Sequence, residues 1–304
     1  MMPISRRHLT LGIVVTAVLL AGVAGWLKWS SARQFGDTRA LLSRFPKEEA
    51  IVLSVDFASV RGAGLLSDST IPLEPEYKQF LDGTGFNYRK DLDSVMASFS
   101  KSGNFFIARG RFDWKKLRDY AAQQGGSCYQ DLCRMQGSTP ERRISFLPLR
   151  DDTMALAVST DDLAANRLTK QGDAITAQLP SAPVWVSVPG SALHSSAAFP
   201  PGLGLMLSAL TTADRLVVTV TPSGSGLAAK MEATCRTKDD ARVLASQLRT
   251  VTAKLKEATQ ENKQAQADEL VQVLIGGTFD DNGAHVNGSW PFSKALIASL
   301  TSGI

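Results

Sequence analysis

Nineteen consecutive residues near the start of the chain, Leu9 to Leu27 (LTLGIVVTAVLLAGVAGWL), carry no charge. As a helix rising ~1.5 Å per residue the run spans roughly 28 Å, which matches the hydrocarbon layer of a bilayer. It is apolar on every side and lacks the single stripe of an amphipathic helix. The run predicts a transmembrane anchor over residues 9–27, with all that follows folding on one side of a membrane.

Arg6, Arg7 and His8 precede the run, and no acidic residue occurs before Asp37. A basic leading flank stays cytoplasmic, so the long remainder is expected to be translocated into a periplasmic or extracellular space. Lys28 and Arg33 oppose that orientation, but they precede a large domain. Trp26 and Trp29 stand at the far end, where indoles favour the headgroup layer. A cleaved signal peptide is the competing reading, with Gly22-Val23-Ala24 as small residues at a cut site. The run is longer than a signal core, and the two tryptophans crowd that cut.

The net charge of +4 and pI of 9.0 arise from this segment. Residues 1–33 hold four basic residues and no acidic one, which leaves 29 basic against 29 acidic in the rest. With no basic stripe interleaved with aromatics, no nucleic-acid partner is expected. The remainder is long enough for one large domain or two small ones.

Alternating and helical periods then divide the exported part. Residues 28–49 form a connector and a short helix bearing Leu41, Leu42 and Phe45, stopped by Pro46. Strands are expected at Ala50 to Phe57, Leu92 to Phe99, Asn104 to Phe112, Arg143 to Leu149 and Met154 to Ser159. Helices are expected from Glu74 to Leu81, with Gly83 beyond the end, from Trp114 to Gln123 behind an Asp113 cap, and from Thr160 to Leu168.

A second series follows. Strands run from Ala182 to Val188, Asp214 to Val220 and Leu227 to Arg236, with a short helix from Leu203 to Leu210 between the first two. A long amphipathic helix follows, with Thr237 and Asp240 as a capping box and Ala241, Leu244, Leu248, Val251 and Leu255 on one face. The polar run Lys254 to Gln266 reads as a solvated face, with a partner-binding helix as the alternative, and Asp268 to Leu274 as helical. A hairpin turning at Asp280 to Gly283 leads into Ala284 to Trp290, and a terminal helix is expected around Ser293 to Leu300. Element order thus recurs after about 121 to 133 residues. The fold class expected is α+β: an N-terminal transmembrane helix, then two similar α+β halves from an internal duplication, 50–172 and 173–304, packed side by side or sharing a sheet.

Cys128 and Cys133 flank four residues after Gly125-Gly126, a spacing compatible with a disulfide, with free thiols or, with more ligands nearby, with a metal. The only histidines are His8, His194 and His285, so no metal site and no cofactor is expected. Cys235 falls on the apolar face of its strand and reads as a small core residue.

Each chemical motif has a plainer explanation. Ser98-Phe99-Ser100-Lys101 has the S-x-x-K spacing, but it runs off a strand instead of opening a helix. Gly190-Ser191-Ala192 lacks the second glycine of a nucleophile elbow. Gly202-Leu203-Gly204 follows no strand, and Asp280-Asp281-Asn282-Gly283 lacks the glutamate of a calcium loop. Asn287-Gly288-Ser289 is a formal glycosylation sequon. Asp151-Asp152 fits a hairpin turn, and Asp161-Asp162 the first turn of a helix.

No catalytic, cofactor-binding or metal residue is therefore assigned. The sequence predicts a plasma-membrane-anchored, non-enzymatic module that binds an envelope protein or peptide. A tethered hydrolase with a dispersed site, at the loops Gly62 to Gly64 and Pro200 to Gly204, and a carrier of an apolar ligand are the alternatives.

Overall fold

The computed structural model describes residues 38–64, 75–137, 139–172, 179–194, 208–223, 226–261 and 273–292. The anchor at 9–27, the loop Pro200 to Gly204 and the terminal helix at 293–300 lie outside the described residues, as does most of the short helix at 203–210. Among the described residues no helix is long and apolar enough to cross a membrane.

The chain divides into two compact units, Met1–Arg44 with Gln171–Ser181, and Phe45–Lys170 with Ala182–Ile304. In the first, residues 38–42 are helical and bury Leu41 and Leu42, and Gly172 N–H donates to the Ser43 carbonyl at 2.8 Å.

The second unit carries one sheet of twelve strands, every neighbouring pair antiparallel, in the order β11-β12-β10-β9-β8-β1-β2-β3-β7-β6-β5-β4. β1 (Ile51–Asp56) and β8 (Val184–Pro189) meet at its middle, with Leu53 opposite Val186. On one side lie β2 (Leu92–Ser100), β3 (Gly103–Gly110), β7 (Thr153–Ser159) and β6 (Arg143–Arg150). On the other lie β9 (Arg215–Ser223), β10 (Gly226–Thr234), β12 (His285–Phe292) and β11 (Thr278–Asn282). The path β1-β2-β3-β7-β6 recurs, in the same chain order, as β8-β9-β10-β12-β11. A helix begins at once after each central strand: α1 (Phe57–Gly62) after β1 and α5 (Gly190–Leu193) after β8. A longer helix then joins the two hairpins of each arm, α4 (Trp114–Gln123) in the first and α6 (Lys238–Glu261) in the second. Among the described residues the first arm alone is extended, by the hairpin of β4 (Ser127–Tyr129) and β5 (Leu132–Gln136).

Strand alternation sends every second side chain to the face that α4 and α6 cover. In the second arm Leu216, Ala229, Met231, Ala233, Val286 and Trp290 form a core with Ala241, Leu244, Ala245 and Leu248 of α6. In the first, Cys133, Phe146 and Met154 pack with Leu117 and Ala121 of α4. Both helices start where their sequence caps them. Asp113 accepts from Lys116 N–H at 3.1 Å, and Asp240 N–H donates to Thr237 Oγ1 at 3.1 Å.

The opposite face differs between the arms. In the first arm Phe105, Ile107, Ala155 and Ala157 are buried there, each large side chain contributing about 1.5–3 kcal/mol. A 3-10 helix, Ala164–Thr169, contacts β6 and β7 and buries Ala164, Ala165 and Leu168, and Ala165 N–H donates to Ser145 Oγ at 3.1 Å. The helix read as running from Thr160 to Leu168 thus begins later and winds tighter. In the second arm Lys230 and Glu232 hold the equivalent register and are exposed. The outer strand β11 is guarded by Arg249 of α6, whose Nε donates to the Phe279 carbonyl at 2.9 Å.

α2 (Pro75–Thr84) departs from the expected end at Leu81. It runs through Gly83 and stops at Gly85, whose φ of 68° suits a left-handed terminator and whose N–H donates to the Leu81 carbonyl at 2.6 Å. Gly83 lies inside the helix and meets Tyr120 of α4, because a Cβ there would stand 2.7 Å from Tyr120 Cδ2.

Candidate functional site

At one end of the first arm, four chain segments converge around an open cleft of about 720 Å³. The end of α2 with the residues after it (Thr84 to Phe86), the end of β3 with the first turn of α4 (Gly110 to Leu117), Asp91, and the β6–β7 turn (Asp151, Asp152) form its walls.

Local sequence explains how these segments are held. α3 (Tyr88–Asp91) is capped by Asn87, which accepts from Arg89 N–H at 3.0 Å. Asp91 closes the turn by accepting from Asn87 N–H at 2.8 Å and pairs with Arg111 Nη2 at 2.9 Å. Gly110 sits so close to this turn that a Cβ would lie 2.2 Å from the Asp91 carbonyl. Its N–H donates to the Asp152 carbonyl at 2.9 Å, and Trp114 Nε1 donates to the Asp151 carbonyl at 2.9 Å. The β6–β7 turn is thereby fastened to the start of α4. β3 ends at Gly110, two residues short of the strand expected to Phe112, and the chain turns there into the cleft wall.

Aromatic rings line the wall and continue into the arm's core. Phe86 stacks on Phe112 with centroids 5.5 Å apart and planes at 16°, and Phe112 meets Trp114 at 5.4 Å and 48°. Phe80 links this group to Tyr120, 5.4 Å away and edge-on. Such ring pairs contribute about 0.5–1.5 kcal/mol each beyond their buried area.

Charge is arranged in pairs. Burial opposes ionisation of Asp91, yet the Asn87 N–H, the Arg111 guanidinium and Lys90 together outweigh it and hold the carboxyl below its usual range. Lys116 Nζ stands 3.7 Å from Asp113. Burial lowers the pKa of Arg109, which lies in the fields of Asp152 and Arg150. Asp151 and Asp152 are exposed. The described lining holds rings, four carboxylates, one arginine, one lysine and the Thr84 hydroxyl, but no cysteine, histidine or serine.

The residues singled out from sequence are scattered. Cys128 and Cys133, register partners in the β4–β5 hairpin, are joined by a disulfide, and Cys235 is a buried free thiol. Ser98 is buried within β2 while Lys101 is exposed in the next turn. His194 Nδ1 lies 2.7 Å from the Gly190 carbonyl of its own helix. His285 lies across from Thr234 and 3.7 Å from Glu232. Asp161 and Asp162 pair with Arg167 and Arg134 respectively. Asp280 to Gly283 spans the end of β11 and the tight turn into β12, with φ of 61° at Gly283. Among the described residues no group of three or more histidine, cysteine, aspartate or glutamate side chains gathers to hold a metal. Of the residues weighed for chemistry, Asp151 and Asp152 reach the cleft, where they meet the helix cap Asp113 and Trp114.

Neither a protein-family model nor a curated protein matches the chain. Three crystal forms of TP0453 are similar to it at 10% identity over 86% of this chain. Form I has a TM-score of 0.47 and is covered over 96% of its length, form III 0.48 and 98%, and form IV 0.46 and 96%.

Proposed function

We propose that this chain is a single-pass membrane protein whose exported domain is a non-enzymatic binding module, with the cleft before α4 as its recognition surface. One observation carries the proposal: an aromatic wall, Phe86, Phe112 and Trp114, opens to solvent beside paired charges. Concave sites that combine apolar rings with a few placed polar groups are the usual form of binding pockets. Retention in the membrane rests on Leu9 to Leu27, and export on the flank Arg6, Arg7. The Cys128–Cys133 bond suits an oxidising compartment. The recurrence of one strand path in both arms supports descent from a duplicated unit.

The test is a photo-crosslinking amino acid placed at Lys116 on the cleft rim, or at Val243 on the exposed face of α6, in the full-length protein in intact cells. A discrete adduct at 116, absent at 243 and lost with Trp114→Ala, is expected. Identical adducts at both positions, or none at 116, would contradict a cleft-centred partner.

A second reading, carriage of an apolar ligand, draws on one observation. Leu53, Val55, Val184 and Val186 share the helix-bearing face at the middle of the sheet and are each only half-buried. A fluorescent fatty acid that binds saturably, and is weakened by Val186→Asp, would favour this reading; no saturable uptake would remove it.

A further inference from the structure

We infer that the cleft receives a lysine or arginine side chain from an extended basic segment of a partner protein. The inference rests on reading the cleft as a binding site and goes further by naming the chemistry of its occupant. Arg111 is matched by Asp91 at 2.9 Å, and Lys116 by Asp113 at 3.7 Å. Asp152 lies in the field of Arg109, while Arg150 acts on that guanidinium by repulsion. Asp151 is left over. Its carbonyl holds the Trp114 indole, and its exposed carboxylate has no ion-pair partner among the described residues. The lining's own charge is therefore negative, four carboxylates against Arg111 and Lys116, and Asp151 stands on the turn that fixes the tryptophan.

Phe112 and Trp114, tilted at 48°, form a corner in the cleft that Asp151 also lines. A cation over an aromatic face gains about 0.5–2 kcal/mol, with Trp the best ring, and a nearby carboxylate adds to it. The cleft, about 720 Å³, is larger than a lone ammonium group fills. The exposed donors of Arg111 and Lys116 on its rim suit the backbone carbonyls of a longer segment.

The experiment uses the full-length protein in detergent micelles and a dye-labelled pentapeptide alternating glycine with lysine. Its glutamate counterpart and tetramethylammonium chloride serve as further probes, read by fluorescence anisotropy. The lysine peptide is expected to bind about tenfold tighter than the glutamate peptide and to weaken as salt is raised. Asp151→Asn should weaken it about fivefold, and Trp114→Leu, which keeps an apolar side chain but removes the ring, about tenfold. Asp131→Asn, a carboxylate outside the cleft, should leave binding unchanged. Equal binding of the glutamate peptide, or no effect of Asp151→Asn, would overturn the cation preference while leaving a binding cleft. Tetramethylammonium displacing the lysine peptide at equal concentration would assign the site to small cations and overturn the peptide occupant. Failure of every probe, together with a cross-link at 116 that survives Trp114→Leu, would remove the cleft reading as well.

Discussion

At Asp91 two effects oppose each other on one carboxyl: burial favours the neutral acid, while the Asn87 N–H, Arg111 and Lys90 favour the anion and prevail. The folded-state pKa is therefore below the unfolded value of about 3.9. A depressed acid contributes stability that is fully present above the unfolded pKa and is lost as the pH falls through the folded one. Asp91→Asn should cost about 1 kcal/mol at neutral pH, roughly 2–4 °C in melting temperature. In a thermal series the gap between wild type and variant should narrow below about pH 4 as the wild type loses its advantage. A gap independent of pH would show that the charge is not what holds the turn. Little of this residue network was legible in the sequence. Asp91 lies far from Arg111 along the chain and in no periodic pattern. Phe86 follows the end of a helix and Phe112 the end of a strand, so neither belongs to an alternation. Asp151 and Asp152 carried a turn signal that accounts for their backbone and says nothing of the tryptophan packed against it.

Elements were more readable, because their signals are local. The Asp113 cap, the Thr237 and Asp240 box, and the alternation of β10 and β12 mark ends and faces without tertiary help. Where the reading departs, a tertiary contact decides. Gly83 looked like a stop after α2 but is a spacer that lets α2 approach Tyr120. Gly83→Ala, which helix propensity alone would favour by about 1 kcal/mol, should instead destabilise by about 1–2 kcal/mol in denaturant titration. A stabilised variant would mean that the two helices are not in close contact. The β4 strand left no alternation to read, since Ser127, Cys128 and Tyr129 are all exposed. Its disulfide closes a short loop, worth about 2 kcal/mol by chain entropy. Cys128→Ala should lower stability by about that amount and speed amide exchange at 127–129 while leaving α6 unaffected. An unchanged exchange rate there would show that the bond does not hold the edge.

On the scale of the whole molecule, the recurrence of elements was visible in the sequence, but the join between halves was not. Strand period says which face a residue takes, not which strand lies beside it. Ala50 to Phe57 and Ala182 to Val188 read as corresponding strands of two halves; in the structure they are neighbours, and β1 is paired on both edges by β2 and β8. The sheet passes through that pair unbroken, so the two arms share one continuous ladder. Native-state hydrogen exchange on the full-length protein in micelles tests this most directly. The account predicts that the ladder amides of β1 and β8 exchange only through global unfolding, with one free energy for the strongest-protected amides of both arms. Fast exchange in β1 and β8, with two distinct plateaus for residues 92–159 and 215–292, would show two separately stable halves and contradict it.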